Sequence, residues 1–453
     1  MGTGQGMPSS SLSQVPLRSA WRTWAYVGVN SFGGPAGQIA VMHRDIVERH
    51  RWVGERRFLH ALNTCMLLPG PEAMQLAAYL GWLMHGVRGA VVAGGLFILP
   101  GFATMLLLSI GYVQYGSLDW VQALLAGLQA AVVVLVFQAL VRISRRTLVS
   151  PLLLMIALAS FLSVFAFGAP FPIVIIVSGV LGWLLMTPRA SSHLGIETVA
   201  EPDDDDLPGR GAVRQARLAA VTFMVLWVVP VFAIILLLGA SSVYAQLSWL
   251  MSKAAVLTFG GAYAILGYVA EEAVGHYGWL SSEQMATGLG LAETTPGPLV
   301  LVLQFVGFVA AHGSGTGLPA LAAGVLGACL AAWVIFVPAF MFVFLAAPFA
   351  ERLRANRSVA GALAAVSAAV CGVILDLALW FSSHVLFATT QTWSWGPVQV
   401  FVPAMDSVRW GMVLIAAIAA AAALGIRRVP TLAVLAACAG LGLLLYLGVS
   451  LKS

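Results

Sequence analysis

Long runs of apolar residues recur along this chain and constrain its fold more than any other feature. Residues 121–141, 216–238 and 410–426 all fall in the range of roughly 17–25 residues that a helix needs to cross a bilayer. Composition agrees, since 60% of the residues are hydrophobic and only 9% are charged, against about a quarter charged in an average soluble domain. A soluble domain with a single anchor is therefore excluded, and we expect an all-α polytopic membrane protein.

The remaining composition argues against several other classes of protein. The net charge of +5 comes mainly from short Arg clusters between apolar runs, which is typical of cytoplasmic loops rather than of nucleic-acid binding. The four cysteines are far apart in apolar sequence, so their spacing indicates neither a metal cluster nor a disulfide framework. Neither a phosphate-binding GxxxxGK[ST] loop nor an HExxH motif is present. We therefore expect no cofactor, no metal site and no enzymatic activity.

Residues 188–214 form the only long polar interruption of the chain and contain the acidic run Asp203 to Asp206 together with Pro and Gly. This composition predicts a solvated linker, although an acidic run could also bind a cation or a partner. The linker divides the chain into a first transporter repeat, residues 1–187, and a second, residues 215–453.

The two sides of the linker carry the same motifs at one offset of 227 residues (259 minus 32). The first FGG motif is Phe32-Gly33-Gly34, the second is Phe259-Gly260-Gly261, the first PGP motif is Pro69-Gly70-Pro71, and the second is Pro296-Gly297-Pro298. Trp52 and Trp279 match at the same offset. Gly and Pro are common in membrane helices, but identical spacing across about 40 residues indicates an internal repeat.

The arginines predict how the two halves are oriented. The loop between the first two motifs holds five of them, and its counterpart, EEAVGHYGWLSSE, holds none. These five are Arg44, Arg49, Arg51, Arg56 and Arg57. An odd number of crossings separates the two loops, whether the motif segments span the membrane or re-enter, so the repeats are predicted to be inverted.

Arg142, Arg145 and Arg146 favour re-entrant segments, because only then do all Arg clusters and the N-terminus lie together in the cytoplasm. The predicted full spans are residues 88–112, 118–141, 148–166, 171–187, 215–239, 317–347, 358–387, 409–426 and 430–451.

The FGG and PGP motifs are the candidate transport site. Each motif of the first half precedes a helix-compatible run, with proline (Pro35 after the first FGG motif) at a position that helix starts favour. In hydrocarbon, a broken backbone is tolerated only where it is buried in protein or lines a cavity, so breaks at matching places in two repeats point to a binding site. Helix N-termini present unpaired N–H groups that suit a tetrahedral oxyanion. The alternative is that these residues only kink helices or allow close packing.

Ionisable and amide side chains near the motifs are the next candidates, because a charge within a bilayer is costly and usually functional. Glu72 follows the first PGP motif and Glu293 precedes the second, so either could bind a coupling proton or act as a gate. Glu72 could equally cap its own helix. Lys253 could supply countercharge or extend its ammonium to the interface. Gln38 and Gln75 could donate to anion oxygens or serve packing alone.

The segments SFGGPAGQIAVMHRDIVERHRWV and LLPGPEAMQLAAYLGW resemble the first-half signature of the chromate ion transporter family, and LTFGGAYAILGYV through TTPGPLVLVLQFVG resembles the second copy in its long, two-domain members. The family's first-half motif corresponds here to these residues: Gly33, Gly34, Pro35, Gln38, Pro69, Gly70, Pro71, Glu72 and Gln75. The second half departs from the pattern at Ala262 and Leu299, in place of Pro35 and Glu72.

The resemblance implies chromate export across a bacterial inner membrane and resistance to chromate, with sulfate as a structural analogue that competes for the site. Since both are divalent tetrahedral anions, a sulfate or other oxyanion transporter of the same fold is the main alternative. A channel and a membrane-embedded enzyme using Glu72 and Glu293 are further alternatives. The sequence leaves the coupling ion, the direction of transport and the oligomeric state open, a homodimer included.

Overall fold

The computed structural model describes residues 15–185, 210–259, 262–346, 357–395, 398–425 and 430–450. Two predicted site residues, Gly260 and Gly261, lie outside the described residues, and so does most of the predicted linker. The described part is helical apart from one β-hairpin, which confirms the all-α polytopic class.

Sixteen helices follow one another in the described residues. They are α1 (Leu17–Val29), α2 (Gly34–Met42), α3 (Glu55–Cys65), α4 (Glu72–Tyr115), α5 (Asp119–Thr147), α6 (Pro151–Phe167), α7 (Phe171–Leu185), α8 (Arg210–Leu238), α9 (Val243–Leu257), α10 (Ala262–Ala270), α11 (Ser282–Thr294), α12 (Val302–Gly313), α13 (Ala320–Ala346), α14 (Arg357–Leu386), α15 (Trp410–Gly425) and α16 (Thr431–Ser450). The hairpin pairs β1 (Thr390–Trp395) with β2 (Val398–Pro403) in antiparallel register.

Six of the described helices, α4, α5, α8, α13, α14 and α16, are long and apolar enough to cross a membrane. Six of the nine spans predicted from the sequence coincide with these helices, the second arm of α4 included. The other three coincide with the shorter apolar helices α6, α7 and α15. Apolar composition over a bilayer-length window is thus sufficient to locate the helices.

The helices that flank the motifs are too short to cross. Helix α1 has 13 residues and α3 has 11, which at 1.5 Å per residue is about 20 Å or less, against a hydrocarbon core of about 30 Å. Helix α4 is itself broken at His85 and Gly86, where the backbone is not helical. The segments around both motifs are therefore half-helices.

Packing shows where the half-helices stop. The Val15 carbonyl lies 2.6 Å from His85 Nε2, and Gly28 packs on the backbone of Leu96 and Phe97. Helix α1 therefore starts level with the break in α4, runs beside its second arm, residues 87–115, and ends about a third of the way along it. The first arm of α4 folds back on the second, which supports the re-entrant interpretation.

The order of elements repeats between the halves. Helices α1, α2 and α3 and the arms of α4 correspond to α9, α10, α11, α12 and α13. A π-helix follows α2 at His43–Arg49, and another follows α10 at Glu271–His276. Their next turns also match, since Trp52 N–H donates to Ile46 at 2.9 Å and Trp279 N–H to Ala273 at 2.8 Å. The internal repeat is thus visible in local structure, and its inverted orientation stays a prediction.

Candidate functional site

The FGG region of each half pairs with the PGP motif of the other half. Gly297 N–H donates to the Ser31 carbonyl at 2.8 Å, and Gly70 N–H donates to the Thr258 carbonyl at 2.7 Å. Ser31 corresponds to Thr258, and Gly70 to Gly297, at the offset found in the sequence. Equivalent hydrogen bonds therefore form at equivalent positions of the two halves, and each of them joins one repeat to the other.

We name the two junctions by these bonds. Break A consists of residues 31–35 with the second PGP motif, and break B of Thr258 and Phe259 with the first PGP motif. Break A contains the predicted site residues Phe32, Gly33, Gly34, Pro35, Pro296, Gly297 and Pro298, and break B contains Pro69, Gly70 and Pro71. Neither half alone contains a complete break.

Local sequence explains why the chain breaks there. The hydroxyl of Ser31 donates to the Val27 carbonyl and that of Thr258 to Ala254, both at 2.6 Å, which closes the last turns of α1 and α9. The following Gly33 has φ 82° and Gly34 has φ 71°. A residue with a side chain is strained in this left-handed region, so glycine is needed to reverse the chain at break A.

Helices restart at the breaks without side-chain caps. No side chain caps the starts of α2 at Gly34 and of α4 at Glu72, or the 3₁₀ turn at Leu299. The first N–H groups of a helix have no partner within it and carry a partial positive charge. The uncapped N–H groups are compatible with anion binding, which stays a prediction.

The two glutamines hold the broken segments. Gln38 Nε2 donates to the Gly297 carbonyl at 2.6 Å, across break A, and Gln75 Nε2 donates to the Pro69 carbonyl at 2.7 Å, within break B. Gln75 Oε1 is buried and has no partner in the described part of the chain. The amides thus hold the broken segments in place, and their direct contact with an anion stays a prediction.

The carboxylates differ between the halves. Glu293, at the end of α11, is 7% exposed and accepts a hydrogen bond from the hydroxyl of Tyr263, in the first turn of α10. Glu72 is partly buried at the first position of α4, where its charge favours the helix start. Tyr263 was not predicted from the sequence, because an aromatic residue in a membrane helix is common and gives no signal of a site.

Lys253 lies on α9, five residues before Thr258 of break B. Its ammonium is 5.6 Å from the ring centroid of Tyr268 on α10. It also lines a cavity of about 370 Å³ between α8 and α9 whose other walls are mostly apolar, including Trp227 and Trp249. Its role as countercharge for the anion stays a prediction.

The second half also lacks two features of the first. Leu299, in the place of Glu72, is buried in the 3₁₀ turn, and Ala262, in the place of Pro35, starts α10. Among the described residues, no group of three or more His, Cys, Asp and Glu side chains could hold a metal ion. The chemistry available at the breaks is therefore that of backbone N–H groups, carboxylates and amides.

A profile of the chromate transporter family matches residues 19–183 and 245–443. The chain belongs to the chromate transporter family. Each matched segment contains one FGG and one PGP motif, so the family match includes both breaks on either side of the predicted linker. This is a family of transporters, and the chain is accordingly a multi-pass membrane transporter.

Several relatives are similar to this chain over most of their length. A chromate transport protein of Pseudomonas aeruginosa is 34% identical over 366 residues, covering 78% of each chain. A probable chromate transport protein of Synechococcus elongatus is 30% identical over 375 residues, covering 82% of this chain and 85% of the relative. The chromate transport protein of Cupriavidus metallidurans is 28% identical, covering 79% and 80%. No solved structure matches the chain.

Proposed function

We propose that this protein exports chromate from the bacterial cytoplasm across the inner membrane, and so confers resistance to chromate. The observation that carries the proposal is the pair of reciprocal hydrogen bonds, Gly297 to Ser31 and Gly70 to Thr258, which brings uncapped helix starts from both halves together. Membership of the chromate transporter family supplies the substrate.

The geometry of the breaks suits this substrate. Chromate is a tetrahedral dianion, and each helix start offers several N–H groups that point along the helix axis towards one site. Glycine at the breaks lets the backbone approach the oxygens closely. Sulfate has the same charge and shape, so it should compete for the site.

The membrane potential can drive export. An inside-negative potential favours anion exit by about 2.3 kcal/mol per charge per 100 mV, or about 4.6 kcal/mol for a dianion. Export then needs no coupled ion, and proton coupling through Glu72 or Glu293 would add to that force. Because the breaks join the repeats, rocking of one half against the other would expose the site to each side in turn.

The arginines support a cytoplasmic N-terminus. The five-Arg loop of the first half includes the π-helix after α2. The equivalent π-helix of the second half instead contains Glu271 and Glu272. With cytoplasmic loops enriched in Lys and Arg, the first pair of half-helices enters from the cytoplasm and the second from the opposite side.

Chromate uptake into energised inside-out vesicles tests the proposal. We expect saturable uptake that sulfate reduces and an uncoupler abolishes, with Glu72→Gln alongside to test that carboxylate. Correctly folded and oriented protein that takes up no more chromate than empty vesicles overturns the assignment. Saturable sulfate uptake with no chromate uptake would make the protein a sulfate transporter instead.

A further inference from the structure

The C-terminal end of α5 carries three exposed arginines, Arg142, Arg145 and Arg146. Cation clusters at the end of a membrane helix usually anchor it in the cytoplasmic interface. The charges of Arg142 and Arg146, however, also act on side chains at the breaks.

Packing directs the end of α5 towards the breaks. Gln129 Nε2 donates to Thr287 Oγ1 at 2.8 Å, and Gly290, about one turn further along α11, packs against Leu128 and Val132 on either side of Gln129. Helix α11 ends at Thr294, just before break A, while α5 continues to Thr147. The last turns of α5 therefore extend past the end of α11.

The charges at these turns act on the breaks. The guanidinium of Arg142 interacts electrostatically with both Tyr263 and Glu293, and that of Arg146 interacts with Glu72. Arg142 and Arg146 are four residues apart and so share one face of the helix. Ser144 and Thr147 interact with Cys371 of α14, which places the packed face of α5 on the other side.

Neither guanidinium is neutralised by a direct ion pair. In the described ranges the ion pairs involve other residues, such as Arg409 with Glu283 at 2.9 Å and Arg49 with Asp45 at 3.5 Å. Both arginines thus keep their donors free while they lie within electrostatic range of the two carboxylates nearest the breaks.

We infer that Arg142 and Arg146 bind the oxyanion at the cytoplasmic mouth of the breaks and pass it to the helix starts. This inference rests on the proposed function and adds the residues that set its affinity for a dianion. Guanidinium forks match the oxygens of tetrahedral oxyanions and keep their charge at any physiological pH. The charge of Arg146 acts on Glu72 at the start of α4, and that of Arg142 acts on the Tyr263–Glu293 pair.

Glu72 and Glu293 then compete with the anion for the two guanidinium groups. In the empty site, Glu72 and Glu293 partly offset the two arginine charges. An arriving dianion takes over that electrostatic interaction, and the carboxylates repel any second anion. Export of one dianion at a time follows from this exchange of partners.

The test compares three single substitutions in the vesicle assay. Arg142→Gln and Arg146→Gln should each raise the KM for chromate about tenfold or more, as expected from the loss of a charged hydrogen bond, with a much smaller change in kcat. Arg145→Gln, which removes the same charge from the same turn, is the matched control and should change KM by less than about twofold. Arg142→Lys and Arg146→Lys should restore part of the affinity.

A second measurement separates binding from a structural role. Glu293→Gln should lower the KM in the wild-type background and have no effect when Arg142 is already Gln, because the carboxylate would compete only for that guanidinium. If a Gln variant is lost from the membrane, the Lys variant supplies the comparison. Equal KM values for all three Gln variants, in protein whose wild type transports chromate, overturn the inference. A wild type that takes up no chromate overturns the proposed function instead.

Discussion

Comparison of the two repeats indicates backbone strain at Arg51. It is the one non-glycine residue with positive φ in the described ranges, at 53°, and its equivalent in the second half is Gly278, at 62°. A side chain in this region costs roughly 1–2 kcal/mol. Arg51→Gly should therefore raise the free energy of unfolding by about 1 kcal/mol, less any gain in unfolded-state entropy.

Thermal unfolding of the purified protein in detergent checks this prediction. Arg51→Ala is the control, since it removes the same charge and keeps the strain, and it should show no gain. Gly278→Ala should lower the melting temperature, although a methyl group there would meet no other atom within 4 Å. A melting temperature that rises equally in Arg51→Gly and Arg51→Ala would show that charge, not backbone strain, is responsible.

The hydrogen bond to the buried carboxylate of Glu293 can be tested by removing its donor. Tyr263→Phe removes the hydroxyl that donates to Glu293 and should cost about 1.5–3 kcal/mol, the range for a hydrogen bond to a charged group. Tyr115→Phe removes the hydroxyl of a ring that is 57% exposed at the end of α4, so it should be nearly neutral. Thermal unfolding of both variants is the measurement, and equal losses would contradict the assigned hydrogen bond.

Sequence patterns predicted some of these site residues and not others. Glu293 was found because a carboxylate in apolar sequence is rare. Its partner Tyr263 was missed, since an aromatic residue in a membrane helix carries no such signal. Gln38 was noted for its position, but its acceptor, the Gly297 carbonyl, is 259 residues away. Only the folded chain reveals such a partner.

At the scale of elements, the hydrophobic pattern predicts spans well because the bilayer imposes one length on them. The β-hairpin Thr390–Trp395 with Val398–Pro403 was not predicted. It lies between two spans, where water satisfies the backbone and no membrane constraint selects helix. The break at His85 and Gly86 was found only approximately, as the start of a span at residue 88.

That break lets α4 fold back on itself, which predicts a glycine requirement. Gly81 and Gly89 pack backbone to backbone between the two arms. Gly81→Val should force the arms apart and destabilise the protein by about 1–3 kcal/mol. Gly95→Val is the control, because Gly95 lies in the second arm and a Cβ there would meet nothing within 4 Å. The folded yield of each variant in membranes is the measurement, and equal yields would exclude close packing at Gly81.

For the whole molecule, the sequence predicted the repeat and the motifs but not how they meet. Nothing in the spacing shows that Ser31 pairs with Gly297 and Thr258 with Gly70 rather than within each half. That exchange arises in the folded chain, where the C-terminal ends of α1 and α9 each bond to the PGP motif of the opposite repeat. It explains why two motifs per half are needed, because each break takes one motif from each repeat.

The inverted orientation of the halves gives the last prediction, which concerns transmembrane sidedness. Gly54 lies in the five-Arg loop and Gly275 in the equivalent loop of the second half, and a Cβ at either meets nothing within 4 Å. In a Cys329→Ser background, which removes the exposed native thiol, a membrane-impermeant maleimide should label Gly54→Cys only from the cytoplasmic side. It should label Gly275→Cys only from the opposite side. Because the halves share the same order of elements, labelling of both from one side would mean that the repeats are parallel. In that case helix starts from the two halves would approach the anion from the same face, and rocking about a shared site could not alternate its access.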